Sequence, residues 1–311
     1  MNCRQLGLLA AMLLVAARVN GQETAAAEPI PLSARGADTC LACHDANSEF
    51  PVLSIFRTRH ALGSDPASPF AQLQCESCHG PGGAHTQRVR RGQPRGPIGT
   101  FGPDSHVPIA EQNEICLGCH EREPGAVWHQ GVHAFAEVSC ASCHTLHAER
   151  DPVMTVAQQP EVCFGCHQRQ RSESLMASTH PIRYGQMSCS ACHDPHGNAA
   201  GVALNRETIN DTCYACHAEK RGPFLWEHAP AVEDCSLCHQ PHGSSHPALL
   251  TRRPPLLCQR CHSQAGHPSI AGTAAGLPPG SASPLLLGGS CLNCHSQVHG
   301  SNHPSGAGLA R

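Results

Sequence analysis

The chain has 311 residues and a formal net charge of −3 at pH 7, with 21 Lys and Arg set against 24 Asp and Glu. This balance argues against a nucleic-acid-binding protein, because such proteins carry a marked basic excess. Aromatic residues make up 4% of the chain, beside 21 cysteines and 24 histidines. So few aromatic side chains do not predict an ordinary large hydrophobic core.

Residues 1–21 have the pattern of a secretory signal peptide. Arg4 precedes an apolar stretch at residues 6–17, and small residues follow near Gly21. A stretch of about 12 apolar residues is shorter than the ~20 that a membrane-spanning helix needs, so we expect cleavage rather than anchoring. Cys3 lies in the removed segment, which leaves 20 cysteines in residues 22–311.

These cysteines form ten C-x-x-C-H motifs, and none is left over. In chain order they are Cys40 and Cys43, Cys75 and Cys78, Cys116 and Cys119, Cys140 and Cys143, Cys163 and Cys166, Cys189 and Cys192, Cys213 and Cys216, Cys235 and Cys238, Cys258 and Cys261, and Cys291 and Cys294. The motif histidines are His44, His79, His120, His144, His167, His193, His217, His239, His262 and His295. The pattern is that of c-type haem attachment, in which two thiols bind the porphyrin and the histidine binds iron. Disulfides and zinc knuckles are the alternatives, but neither requires a histidine after every second cysteine.

Fourteen histidines lie outside the motifs, and their placement reveals five modules of two motifs each, at residues 40–85, 116–147, 163–196, 213–242 and 258–303. In the central modules one such histidine stands seven to nine residues before the second motif, and another stands three residues after that motif's own histidine. We predict that ten of the fourteen are second axial ligands, namely His60, His85, His133, His147, His180, His196, His228, His242, His267 and His299. The spacing of His60, His85 and His267 departs from the central pattern. His106, His129 and His246 are left over, and His303 is an alternative to His299.

These assignments predict a multihaem cytochrome c fold. We expect short α-helices, one at each motif, joined by Gly- and Pro-rich loops with little or no β-sheet. At roughly 29 residues per haem, the haems themselves would form most of the core. Because His242 lies only three residues after His239, we expect it to bind a neighbouring haem. Two histidines on each iron leave no open position for a substrate, which favours electron transfer over catalysis.

The chain resembles the periplasmic decahaem cytochromes of outer-membrane porin–cytochrome conduits, the MtrA or DmsE type. The resemblance covers residues 40–303 and is most specific in the stretches CESCHGPGGAH and CLNCHSQVHGSNHPSG. It implies a periplasmic protein associated with the outer membrane, with bis-His haems that carry electrons through a β-barrel porin to or from an extracellular donor or acceptor such as iron. The implied partners are the porin, a periplasmic electron carrier or inner-membrane quinone-linked cytochrome, and an outer-surface multihaem cytochrome. The family's two pentahaem halves would divide this chain near residue 180.

Other functions stay open from the sequence. A soluble periplasmic shuttle could serve a reductase without any porin, and a multihaem oxidoreductase would keep one iron open to substrate. A third alternative is charge storage in the haems. Nothing in these residues sets the direction of electron flow, so the protein could serve metal reduction or metal oxidation.

Overall fold

The computed structural model describes residues 29–120, 122, 125–197, 203–262, 291–293 and 295–304. The expected signal peptide and two predicted site residues, His267 and Cys294, lie outside these ranges. Among the described residues, no helix combines the length and the apolar character needed to cross a membrane.

Short helices separated by turns make up most of the described structure. The α-helices are α1 (Ala37–Leu41), α2 (Glu76–His79), α3 (Ile109–Leu117), α4 (Gly125–Trp128), α5 (Val132–Phe135), α6 (Gln159–Phe164), α7 (Gln168–Ser174), α8 (Ile209–Tyr214) and α9 (Ala229–Glu233). The 3-10 helices are Val52–Arg57, Arg59–Ala61, Pro69–Ala71, Cys140–Ser142, Pro152–Met154, Pro181–Tyr184, Cys189–Ala191, Ala218–Lys220, Cys235–Leu237, Pro247–Leu249, Cys258–Arg260 and Cys291–Asn293. Strands β1 (Trp226–Glu227) and β2 (Gly300–Ser301) pair in antiparallel fashion. The prediction of short helices with little sheet is confirmed.

All ten motifs share one local geometry. In each motif the histidine N–H donates to the carbonyl of the first cysteine at 2.9–3.0 Å, which closes one helical turn. Residues three and four positions apart lie on one face of such a turn, so the two thiols and the imidazole can face the same porphyrin. In the first four modules the first motif begins in an α-helix, α1, α3, α6 or α8. The second motif of modules two to five begins in a 3-10 helix.

Buried apolar side chains are few in the described part of the chain. They are Ala37, Leu117, Trp128 and Phe164, whereas Phe135 is 76% exposed. Burial of apolar surface is the main favourable contribution to folding, and these side chains supply little of it. The polypeptide therefore fits the expectation that porphyrins complete its core.

Amide side chains connect the two motifs in each of the three central modules. Asn113 on α3 accepts a hydrogen bond from the backbone N–H of Cys140 at 2.8 Å, and Asn210 on α8 accepts one from Cys235 at 2.8 Å. Gln159 on α6 makes the corresponding contact with the backbone of the sixth motif, at 2.8 Å. Both asparagines stand three residues before the first cysteine of their module, a signal that motif reading alone did not single out.

Candidate haem centres

Thiols of the two motifs within a module lie near each other. In every module the first cysteine of one motif is close enough to the first cysteine of the other to shift its thiol pKa. The pairs are Cys40 with Cys75, Cys116 with Cys140, Cys163 with Cys189, Cys213 with Cys235, and Cys258 with Cys291. None of the described cysteines forms a disulfide.

Cysteines of neighbouring modules also lie near enough to affect each other's pKa. Burial is the main cause that raises the pKa of Cys78, Cys143, Cys192 and Cys238, and a thiol of the next module adds to the effect in each case. These neighbours are Cys119 for Cys78, Cys163 and Cys166 for Cys143, Cys216 for Cys192, and Cys261 for Cys238. Together with the pairs inside modules, they link all ten motifs in sequence order.

The imidazoles of the motifs face other imidazoles in nine pairs within the described residues. The ring centroids lie 5.8–6.5 Å apart. The pairs are His44–His85, His60–His120, His79–His147, His133–His167, His144–His196, His180–His217, His193–His242, His228–His262 and His239–His299. Each pair joins a motif histidine to a predicted second ligand.

The spacing of these pairs fits an iron atom between them. A metal-bound imidazole nitrogen lies about 2 Å from the metal, and the ring centroid lies about 1 Å farther, so two rings on one metal have centroids about 6 Å apart. Two imidazoles alone are a poor site for a free metal ion. They are the two axial ligands that a haem iron takes, because the porphyrin supplies the other four nitrogens.

The pairing interlocks neighbouring modules. The histidine in the middle of one module faces the first motif of the next, as in His133–His167. The histidine of the second motif faces the terminal histidine of the next module, as in His144–His196. The first module departs from this rule, because His44 faces His85 of the same module.

Backbone carbonyls orient many of these rings. Eight paired histidines hydrogen-bond a carbonyl through Nδ1 at 2.7–3.2 Å, namely His79, His85, His133, His147, His180, His193, His228 and His239. A carbonyl can only accept, so Nδ1 carries the proton and Nε2 keeps its lone pair for a metal. The carbonyl acceptors of His133 and His180, on Pro195 and Pro241, belong to the next module. Ring orientation and module packing therefore depend on the same contacts.

Burial favours the ligating form of several rings. It is the largest cause that lowers the pKa of His60, His79, His196, His242 and His299, and the facing imidazole lowers each further. Neutral imidazole is the form that binds metals.

Glycines follow three of the terminal histidines and allow the modules to approach closely. Gly197, Gly243 and Gly300 all have positive φ. A Cβ on Gly197 would lie 2.5 Å from the Cα of Gly131, and one on Gly243 would collide with the carbonyl of Glu173. The repeated His-Gly dipeptide is the sequence signal for this role, and the motif analysis missed it.

The histidines predicted to be left over have other surroundings. His129 Nε2 lies 3.8 Å from the Glu114 carboxylate, and both side chains are largely exposed. The backbone N–H of His246 donates to the Ser244 hydroxyl at 3.0 Å. The carbonyl of His303 accepts a hydrogen bond from the Trp226 indole at 3.1 Å.

Comparison with known proteins assigns the chain to a family. Residues 75–159 match the NrfB-like c-type cytochrome family, and residues 180–222 and 228–267 match the doubled CXXCH motif. The multihaem cytochrome MtrA of Shewanella baltica is 46% identical over 281 residues, which span 90% of this chain and 82% of that protein. The chain belongs to the MtrA family of multihaem c-type cytochromes. The family resemblance predicted from the sequence is confirmed.

More distant relatives are also multihaem or c-type proteins. The c-type protein NrfB of Escherichia coli is 31% identical over 119 residues, which are 37% of this chain and 56% of that protein. The polyhaem cytochrome OmcB of Geobacter sulfurreducens is 26% identical over 237 residues, 68% of this chain and 29% of its own length. As an MtrA-family cytochrome, the chain carries covalently attached c-type haem and transfers electrons.

Proposed function

We propose that this MtrA-family chain carries electrons across the outer membrane along ten bis-His c-type haems, inside a β-barrel porin. The electrons pass to or from an extracellular donor or acceptor such as iron. The observation that carries the proposal is the continuity of the motifs: each consecutive pair, inside modules and between them, has thiols near enough to affect a partner's pKa. Haems tethered at such sites are neighbours from the first to the tenth.

The imidazole pairs supply the proposed axial ligands. Nine irons would take the nine facing pairs, in which each terminal histidine faces the preceding module except His85, which faces His44 of its own module. For the tenth motif the predicted second ligand stays His267, from the sequence alone. The five two-motif modules are the proposed structural units, interlocked through these ligands.

Side chains and backbone carbonyls of the protein would fix the ligands of each haem iron. A bound haem supplies an iron that accepts or gives up one electron. The paired histidines would hold the iron, and carbonyl acceptors fix the orientation of many of their rings, so the ligand set need not change with redox state. With both positions filled, a small substrate has no open site at the iron.

A barrel explains how a chain of this kind would work within a membrane. The hydrocarbon layer is ~30 Å thick, and irregular backbone is tolerated at that depth only where protein shields it from lipid. The described chain is mostly turns and very short helices. We therefore place it in the periplasm and within a porin. Its partners are the porin, a periplasmic or quinone-linked electron donor or acceptor, and an outer-surface multihaem cytochrome.

Reconstitution tests the proposal. The protein would be isolated from outer membranes of its host in detergent and inserted, with any bound barrel, into liposomes that contain reduced methyl viologen. External ferric citrate should then oxidise the enclosed dye. A Cys140→Ala, Cys143→Ala variant, which lacks the fourth attachment site, should insert equally but lose most of this flux. Isolation without a barrel, together with absent flux, would contradict the conduit.

The second candidate is a periplasmic shuttle that delivers electrons to a reductase. The match of residues 75–159 to the NrfB-like family favours it. A shuttle would be recovered from the periplasmic fraction and would reduce a partner enzyme without liposomes or a barrel. The two candidates therefore differ in fractionation and in transmembrane flux.

A further inference from the structure

We propose that Asp151 is a positioning residue that lowers the redox potential of the haem at the fourth motif, residues 140–144. The inference rests on the proposed axial ligation by His144 and His196. It concerns one centre and predicts that this centre is more reducing than its counterparts in the first, third and fourth modules.

Asp151 is held firmly against the ligand. Its Oδ2 lies 2.7 Å from Nδ1 of His144, and the Asp151 side chain is 17% exposed. Its Oδ1 accepts hydrogen bonds from the N–H groups of Thr145 at 3.2 Å and Val153 at 3.4 Å. The second of these caps the 3-10 helix Pro152–Met154. The carboxylate is therefore fixed by groups on both sides of the loop.

The same position is neutral in the first, third and fourth modules. The Nδ1 atoms of His79, His193 and His239 bond the carbonyls of Gly99, Ala203 and Ala248 at 2.8, 3.1 and 2.7 Å. In the third module, the carbonyl of Ala203 also accepts from the N–H of the residue after the histidine, at 2.9 Å. Asp151 makes both of these contacts with its side chain. A charged carboxylate thus replaces a neutral carbonyl at one point of the repeat.

Other carboxylates near axial histidines are weaker candidates. Glu173 lies 3.5 Å from Nδ1 of His242, and Arg169 pairs with it at 2.8 Å, which offsets its charge. Glu219 lies 3.7 Å from Nδ1 of His217 and is 60% exposed, so solvent screens it. At the fourth motif, by contrast, a second carboxylate, on Asp194, lies 4.0 Å from Nδ1 of the facing His196.

A carboxylate hydrogen-bonded to Nδ1 makes a ligand histidine a stronger electron donor to the iron. It draws the Nδ1 proton toward itself and increases electron density at Nε2. Such a ligand favours the ferric over the ferrous iron, and hydrogen bonding around the ligands is among the means by which proteins set haem potential. An electron would therefore enter the haem at the fourth motif less readily than if a neutral carbonyl stood in place of the carboxylate.

The test compares Asp151→Asn with Glu149→Gln in the full holoprotein. Asparagine keeps an oxygen for Thr145 and Val153 but loses the charge at His144. Glu149 lies two residues away, is 60% exposed and pairs with Arg57, so its variant removes an equal charge without touching a ligand. Potentiometric titration of haem absorbance, with EPR of the low-spin ferric haems, gives the readouts.

In Asp151→Asn we expect one haem in ten to change its ferric-to-ferrous ratio about tenfold toward ferrous, an upward shift of about 59 mV for a one-electron couple. One low-spin EPR component should change with it, and Glu149→Gln should resemble the wild type. Titration curves that superimpose, or equal shifts in both variants, would overturn the role of Asp151 while leaving low-spin ligation intact. A wild-type protein with high-spin ferric haem at this motif would instead overturn the ligation on which the inference rests.

Discussion

Replacement of His133 by alanine should change the haem of the next module, not that of its own. His133 lies in the second module, and its ring faces His167 of the fifth motif with centroids 6.1 Å apart. The variant removes one of the two proposed ligands of that iron. Because the chain has ten motifs, one tenth of the ferric haem should become high-spin.

The protein should tolerate this change. His133 donates to the carbonyl of Pro195 at 2.8 Å, and loss of one such hydrogen bond costs about 0.5–1.5 kcal/mol. The spin state is measured by EPR and by absorbance of the ferric protein. Added free imidazole should restore the low-spin state, because it can enter the space that the side chain leaves.

Removal of attachment sites locates the affected haem. When His133→Ala is combined with Cys163→Ala and Cys166→Ala, the high-spin signal should disappear, because its haem is gone. Combination with Cys140→Ala and Cys143→Ala should leave the signal in place. His129→Ala is the matched control, since this exposed histidine of the same module lies near Glu114 instead of a motif imidazole. A high-spin signal that follows the 140–143 motif, or equal effects of both histidine variants, would refute the interlocked pairing.

Three further variants test the contacts that support the centres. Gly243→Ala forces a Cβ against the Glu173 carbonyl at a φ of +154° and should lower stability by about 1–3 kcal/mol, seen as a lower thermal midpoint. Asn113→Ala leaves a backbone N–H of the fourth motif without its acceptor and should cost about 1–3 kcal/mol in denaturant unfolding. Glu76→Gln removes a buried carboxylate. Burial tends to raise the pKa of Glu76, but hydrogen bonds from Gly82 and Ser33 outweigh it and bring the pKa below its ordinary value of 4.5. Its folded pKa is depressed, so the stability it contributes is present above about pH 4.5 and is lost as pH falls through the folded pKa. The difference between wild type and variant should therefore be about 1–3 kcal/mol at pH 7 and should shrink in acid.

Each of these variants has a control at an exposed position. Gly63→Ala should be silent, because no atom lies within 4 Å of the added Cβ. Asn47→Ala and Glu49→Gln change exposed residues and should leave unfolding unchanged. A stability difference for Glu76→Gln that grows in acid would contradict the role given to its carboxylate. Equal midpoints for the Gly243 and Gly63 variants, or for the Asn113 and Asn47 variants, would count against the contacts described above.

The sequence alone predicted the cofactor, its attachment points and the short-helix fold. Haem attachment is local chemistry: two cysteines and a histidine within five residues close one helical turn in every motif, whatever surrounds them. It also predicted ten other histidines as second ligands. Each of these that the structure describes lies opposite a motif imidazole.

Only the tertiary structure decided which histidine faces which. His144 and His196 stand 52 positions apart in sequence (196 minus 144), and no local rule joins residues so distant. These two rings face each other because neighbouring modules pack together. That packing depends on hydrogen bonds from Nδ1 to carbonyls and on glycines that let a neighbouring backbone approach closely. The role of Asp151 is likewise visible only in the fold, because a backbone carbonyl takes the same position in the first, third and fourth modules, and no sequence pattern reveals a backbone contact.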